Sequence, residues 1–198
     1  PYFWGTLGII YNDKYVKPQD VQHWDDLWAP KFKNQIMLVD SARDALAMAL
    51  ITQNKSVNDK STADLAAAQA KLTTLMPNIK AIIADEIKMY MAQNEAAIAV
   101  TYSGEASQAM GNNSHLHYVV PSEGSNLWFD NIVMPKTAKH KAAAYAFLNF
   151  MSEPKNAAQN ATYVGYATPN KRAMPFLSEA VRHDKQFYPD KKTLDNLQ

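Results

Sequence analysis

One stretch limits the architecture more than any other: Ala96-Ala97-Ile98-Ala99-Val100-Thr101-Tyr102 is apolar almost throughout and runs straight into Ser103-Gly104-Glu105. Apolar residues at every position, rather than at alternate ones, belong to a strand covered on both faces. Such a strand needs layers above and below it, and the chain supplies them by alternating strand-like and helix-like segments. Ile36–Val39 is a short apolar run feeding a helix marked by Ala42, Leu46, Ala49 and Leu50. Leu65, Leu72, Leu75 and Met76 mark a second helix, stopped by the turn chemistry of Pro77-Asn78. Residues 2–11, interrupted by Gly5 and Gly8, read as a strand or strand pair carrying a bulge, and residues 116–120 and 128–134 read as further strands. Ala144, Phe147, Leu148 and Met151 set a helix that Ser152-Glu153-Pro154 breaks and restarts. The expected fold is α/β, with a mainly parallel or mixed sheet flanked by helices.

Composition excludes several functions. Lys and Arg number 20 against 19 Asp and Glu, giving a net charge of +1 with no block of like charge, so nothing steers the chain to nucleic acid. No apolar run approaches the roughly 20 residues of a membrane-spanning helix. With no cysteine, disulfide scaffolds, thiolate metal sites and thiol nucleophiles are ruled out. Among the five histidines, His23, His115, His117, His140 and His183, only His115 and His117 share a strand face, too few for a zinc site. The elbow of serine hydrolases and the glycine-rich phosphate loops are missing. The expectation is a protein with no catalytic residue, metal or cofactor. The opening Pro1-Tyr2-Phe3-Trp4, without an initiator Met or a signal segment, reads as a mature product or an internal piece.

What remains is a coincidence of acids and aromatics at strand ends, where open α/β sheets bind ligands. Val39 leads into Asp40-Ser41-Ala42-Arg43-Asp44, Tyr102 leads into Ser103-Gly104-Glu105, and Trp128 and Asp130 share a face by alternation. Carboxylates pair with ammonium groups while aromatic faces attract the same charge, at roughly 0.5–2 kcal/mol per ring, so the set suits an organic cation with aliphatic spacers. Each residue also has a plainer reading. Ser41 with Asp44 resembles a capping box, Glu105 complements a helix dipole, Trp128 alone suits a core, and Asp130 alone suits a strand end.

These residues resemble the polyamine-binding (spermidine/putrescine) substrate-binding proteins of ABC importers. The similarity is carried by Tyr2-Phe3-Trp4-Gly5-Thr6-Leu7-Gly8-Ile9-Ile10-Tyr11-Asn12, Trp24-Asp25-Asp26-Leu27-Trp28, Val39-Asp40-Ser41-Ala42-Arg43-Asp44, Trp128-Phe129-Asp130 and Tyr163-Val164-Gly165-Tyr166-Ala167-Thr168-Pro169-Asn170, in order along the chain. The resemblance implies a type II periplasmic-binding fold whose two lobes close on ligand. Residues 1–128 would form a crossover strand and the second lobe, 129–174 a returning first-lobe segment, and 175–198 a tail packing back on the second lobe. Most of the first lobe would be absent. Carried over by residue, Asp44 pairs with a ligand amine, Ser41 stands where some members have Asp, Tyr102 stands where many have Trp, Glu105 sits where putrescine binders carry an acid, and Trp128 and Asp130 match the Trp-x-Asp pair.

The function so implied is capture of putrescine or spermidine outside the cytoplasm for import, by a monomer that docks on ABC permease subunits. Its location would be periplasmic, or extracellular on a lipid anchor. The alternatives are a receptor for a quaternary amine, iron or a carboxylate, and a carboxylate-dependent hydrolase.

Overall fold

The apolar run is a strand with neighbours on both edges. In the computed structural model, which describes residues 1–198, β4 (Ile98–Tyr102) lies parallel to β2 (Ile36–Val39) on one side and antiparallel to β1 (Phe3–Asn12) on the other. Ile98, Ala99 and Val100 are no more than 1% exposed. Outside β2 comes β3 (Ile79–Ile83), again parallel, and outside β1 comes β5 (Leu116–Val119), antiparallel. The strand order is β3-β2-β4-β1-β5, with β6 (Leu127–Asp130) also paired to β1. The sheet is therefore mixed, as expected. Its parallel members are joined through α1 (Ala42–Ile51) and α2 (Thr62–Leu75) between β2 and β3, and through α3 (Ile87–Ala92) between β3 and β4. α4 (Ser103–Asn112) follows β4 without a linking residue.

Three details depart from the sequence reading. β1 runs in unbroken register from Leu7↔Tyr102 to Tyr11↔Ile98, so Gly8 is not a bulge. A Cβ there would lie 2.5 Å from the Tyr118 ring and 2.6 Å from the Val119 carbonyl, and glycine is what lets β5 close on β1. The shift in register lies instead between β2 and β3, at Ile36/Met37. The strand expected over 128–134 ends at Asp130, well before Pro135, and β3 was not anticipated because its half-buried alternation is short.

The chain forms two compact units. The larger comprises Thr6–Leu127 and Asp190–Gln198. Its core gathers Trp24, Leu27, Ile36, Met48, Leu75 and Ile98. Trp24 is fully buried and its indole N–H donates to the Gly124 carbonyl at 2.9 Å, so it belongs to the packing of this unit. Gly124 has φ +97°, and the Asn196 carbonyl occupies the place a side chain would need. That lets the last residues lie along the segment before β6: Gln198 N–H donates to Ser125 O at 3.0 Å, and Leu127 N–H donates to Gln198 O at 2.8 Å.

The smaller unit comprises Pro1–Gly5 and Trp128–Pro189. It contains α5 (Lys141–Ser152), α6 (Pro154–Val164), ended by Gly165 at φ 86°, and α7 (Glu179–His183). Its core is small: Ala157, Ala158 and Ala161 of α6 meet Ala173 and Leu177, with Phe3 and Tyr188 against them. α5 has no buried residue although it carries Tyr145, Phe147 and Phe150. Of the stretch 175–198, residues 175–189 fall in this unit and Asp190–Gln198 in the larger one, where Asp190 caps α8 (Lys191–Leu194).

Candidate functional site

Parallel pairing of β2 and β4 sets their carboxyl ends side by side, and a site grows from that juxtaposition. Beyond β2, Ser41 adopts extended φ −147° and caps α1, its Oγ accepting from Asp44 N–H at 3.3 Å. A full capping box would return the Asp44 carboxylate to Ser41 N–H. It does not: Ser41 N–H donates to Val39 O at 2.8 Å. The carboxylate turns instead toward the end of β4, where Tyr102 Oη donates to its Oδ2 at 2.6 Å. Asn126 Nδ2 donates to its Oδ1 at 2.9 Å. Asp44 is only 5% exposed and takes part in none of the chain's ion pairs. Both oxygens are held by neutral donors, so the charge is fixed in place without being cancelled.

Tyr102 is held in its phenol form. Burial raises its pKa well above the ordinary value, the hydrogen bond to Asp44 and the negative charge there raise it further, and a hydrogen bond from Ser41 partly offsets them. Asp40, which precedes Ser41, is exposed.

Glu105 lies in the first turn of α4, as a dipole-complementing acid would, but it is buried to 8% exposure and its carboxylate meets Lys88 Nζ of α3 at 2.8 Å. This acid therefore has its own cation, unlike Asp44. In the smaller unit, Trp128 is half-buried and packs edge-on against the Tyr166 ring, centroids 5.0 Å apart at 88°. The Asp130 side chain is exposed, and its backbone carbonyl accepts from Tyr2 N–H at 2.6 Å. Thus Ser41, Asp44 and Tyr102 converge in the larger unit with Glu105 nearby in sequence from Tyr102, whereas Trp128 and Asp130 belong to the smaller unit.

Sequence reasoning missed Asn126 and Lys88, whose contacts no local spacing reveals. It quoted Tyr166 only as part of a matching stretch, without a role. The histidines stay outside the site: His115 Nδ1 and His117 Nε2 hold the two oxygens of exposed Asp13 at 2.9 and 2.8 Å. Those bonds keep the Asp13 carboxyl below its usual range. His23 Nδ1 meets both Ser122 Oγ at 2.8 Å and Glu123 Oε2 at 3.3 Å. A hydrolytic relay needs acid and nucleophile on opposite ring nitrogens, so this cluster is not one. No group of three His, Asp or Glu is placed to hold a metal ion, and no helix is long and apolar enough to cross a membrane.

Comparison with known proteins gives the same direction. The chain is 36% identical over 196 residues to the spermidine/putrescine-binding periplasmic protein of Escherichia coli K12, a match covering 99% of this chain and 56% of that protein. A spermidine/putrescine ABC transporter substrate-binding protein from Streptococcus pneumoniae, solved as a crystal structure, superposes with a TM-score of 0.86 at 55% identity, over all of this chain and 61% of that one. A putative spermidine/putrescine ABC transporter structure from Listeria monocytogenes superposes with a TM-score of 0.95 at 52% identity, again over all of this chain and 61% of the other. The chain thus spans a little over half the length of these relatives. Residues 1–189 match the model of the bacterial extracellular solute-binding proteins, and the chain belongs to that family.

Proposed function

We propose that the protein is a receptor that captures a polyamine, putrescine or spermidine, outside the cytoplasm and delivers it unchanged to ABC permease subunits. The observation that carries this reading is the Asp44 carboxylate, buried, ionically unpaired and fixed by Tyr102 and Asn126. A primary ammonium supplies both the missing charge and the N–H donors such a group accepts. Within the larger unit Glu105, which shares its charge with Lys88, is a second candidate acid; within the smaller unit Trp128 and Asp130 are candidate ligand residues in their own right, a cation on an aromatic face being worth roughly 0.5–2 kcal/mol. The names of the relatives, spermidine/putrescine-binding and putrescine-binding, support the amine over iron or a carboxylate.

In this reading the larger unit is one lobe. The smaller unit is the returning part of the other, completed by the additional length its relatives possess. The receptor works as a monomer, free in a periplasm or held outside the membrane by a lipid anchor. The test is isothermal titration of putrescine, spermidine, spermine, choline and a neutral amino acid into this chain and into the chain carrying its relatives' full length. Tight binding of a polyamine by the longer form, weakened at least about thirtyfold by Asp44→Asn as expected for truncating a buried charge pair, supports the proposal. Binding of choline alone, or an Asp44→Asn variant as tight as the parent, would sink it.

A further inference from the structure

Asn126 has no motif to announce it, yet it makes one of the two contacts that fix the Asp44 carboxylate. Its own backbone is immobilised on both sides. Leu7 N–H donates to the Asn126 carbonyl at 3.2 Å, and Ser125 Oγ donates to Leu7 O at 2.7 Å. The Ser125 carbonyl and the Leu127 N–H are both taken by Gln198. The side chain therefore springs from a clamped segment, immediately before β6, and reaches Asp44 across 82 residues of sequence. A side chain anchored in this way holds a neighbouring group to a tighter range of positions than a surface residue can.

The choice of an amide also matters. A lysine or arginine at 126 would donate equally well but would cancel the charge on Asp44. An aliphatic residue would leave Oδ1 without a donor in a buried place, which costs the full desolvation of that oxygen. An amide satisfies the oxygen and leaves the charge available to a ligand.

We propose that Asn126 is a positioning and specificity residue of the amine site: it holds the Asp44 carboxylate in its ligand-accepting orientation while leaving that carboxylate's charge for a primary ammonium group. The role rests on the receptor reading above, and the experiment separates the two. In the full-length receptor, titrate putrescine and spermidine into the parent, Asn126→Leu, Asp44→Asn and the double variant, and record thermal unfolding of each without ligand. Asn126→Leu weakens polyamine binding about tenfold or more, the loss expected when a hydrogen bond to a charged group is removed. In the Asp44→Asn background the same substitution adds little, because there is no carboxylate left to orient; a purely structural role would add its full cost in both backgrounds. Asn126→Ser, which keeps a donor, recovers part of the affinity. The role is overturned if Asn126→Leu binds like the parent, or if its loss is undiminished in the Asp44→Asn background, while Asp44→Asn alone still weakens binding. A parent that binds no polyamine overturns the receptor reading together with this role.

Discussion

Asp44 and Tyr102 stand 58 residues apart in sequence and 2.6 Å apart in space, and that one contact gives the strongest test at the scale of single residues. Tyr102→Phe keeps the ring and deletes the donor. It should lower the unfolding free energy by about 1.5–3 kcal/mol, the range for a hydrogen bond to a charged group, read from urea titration. A loss below a few tenths would mean that solvent replaces the hydroxyl without cost. Asp130, exposed here, is expected to act only on ligand. Asp130→Asn should leave the urea midpoint unchanged while weakening amine binding at least about tenfold in the full-length protein; an unaltered dissociation constant would remove Asp130 from the site. The Ser41–Asp44 spacing showed a helix start correctly, since Ser41 does cap α1. It could not show that the Asp44 carboxylate leaves its own helix, because its partners at 102 and 126 are set by strand pairing and chain crossover.

The strand-to-helix alternation was readable because burial on both faces leaves β2 and β4 almost wholly apolar, and the helices kept their periodic leucines and alanines. What escaped was whatever depended on a neighbour. Gly8 looked like an interruption within β1, whereas its smallness serves Tyr118 and Val119 on β5. Gly8→Ala should therefore act between elements, prising β5 from β1 at a cost of about 1–3 kcal/mol or more, the usual range for overpacking. Hydrogen exchange would show the loss as faster exchange in β5 with β2 and β3 little changed. Uniform protection across the sheet would mean that Tyr118 swings aside instead.

At the scale of the whole molecule, several phenols respond to pH together. Burial raises the pKa of Tyr118, whose hydroxyl donates to Thr6 O at 3.0 Å, and of Tyr188; burial, then the Asp13 charge, raises that of Tyr11; burial, then Asp44, raises that of Tyr102. The unfolded chain loses these protons from about pH 10 while the folded chain keeps them, so unfolding releases protons and stability falls as pH rises beyond that point. Urea midpoints at about pH 8 and about pH 11 should show the fall, and Tyr118→Phe should shrink it. A midpoint independent of pH over that range would contradict the assignment.

The chain passes between its two compact units at Gly5/Thr6, at Leu127/Trp128 and again at Pro189/Asp190. A single break anywhere between Thr6 and Pro189 cannot part units joined in this way; each fragment would carry off a portion of both. A protease that nicks one loop leaves no intact unit free to diffuse away, and a gene truncated or fused at one point never yields either unit alone. Exchanging one unit between relatives would need three matched junctions, whereas a substitution at one position needs none.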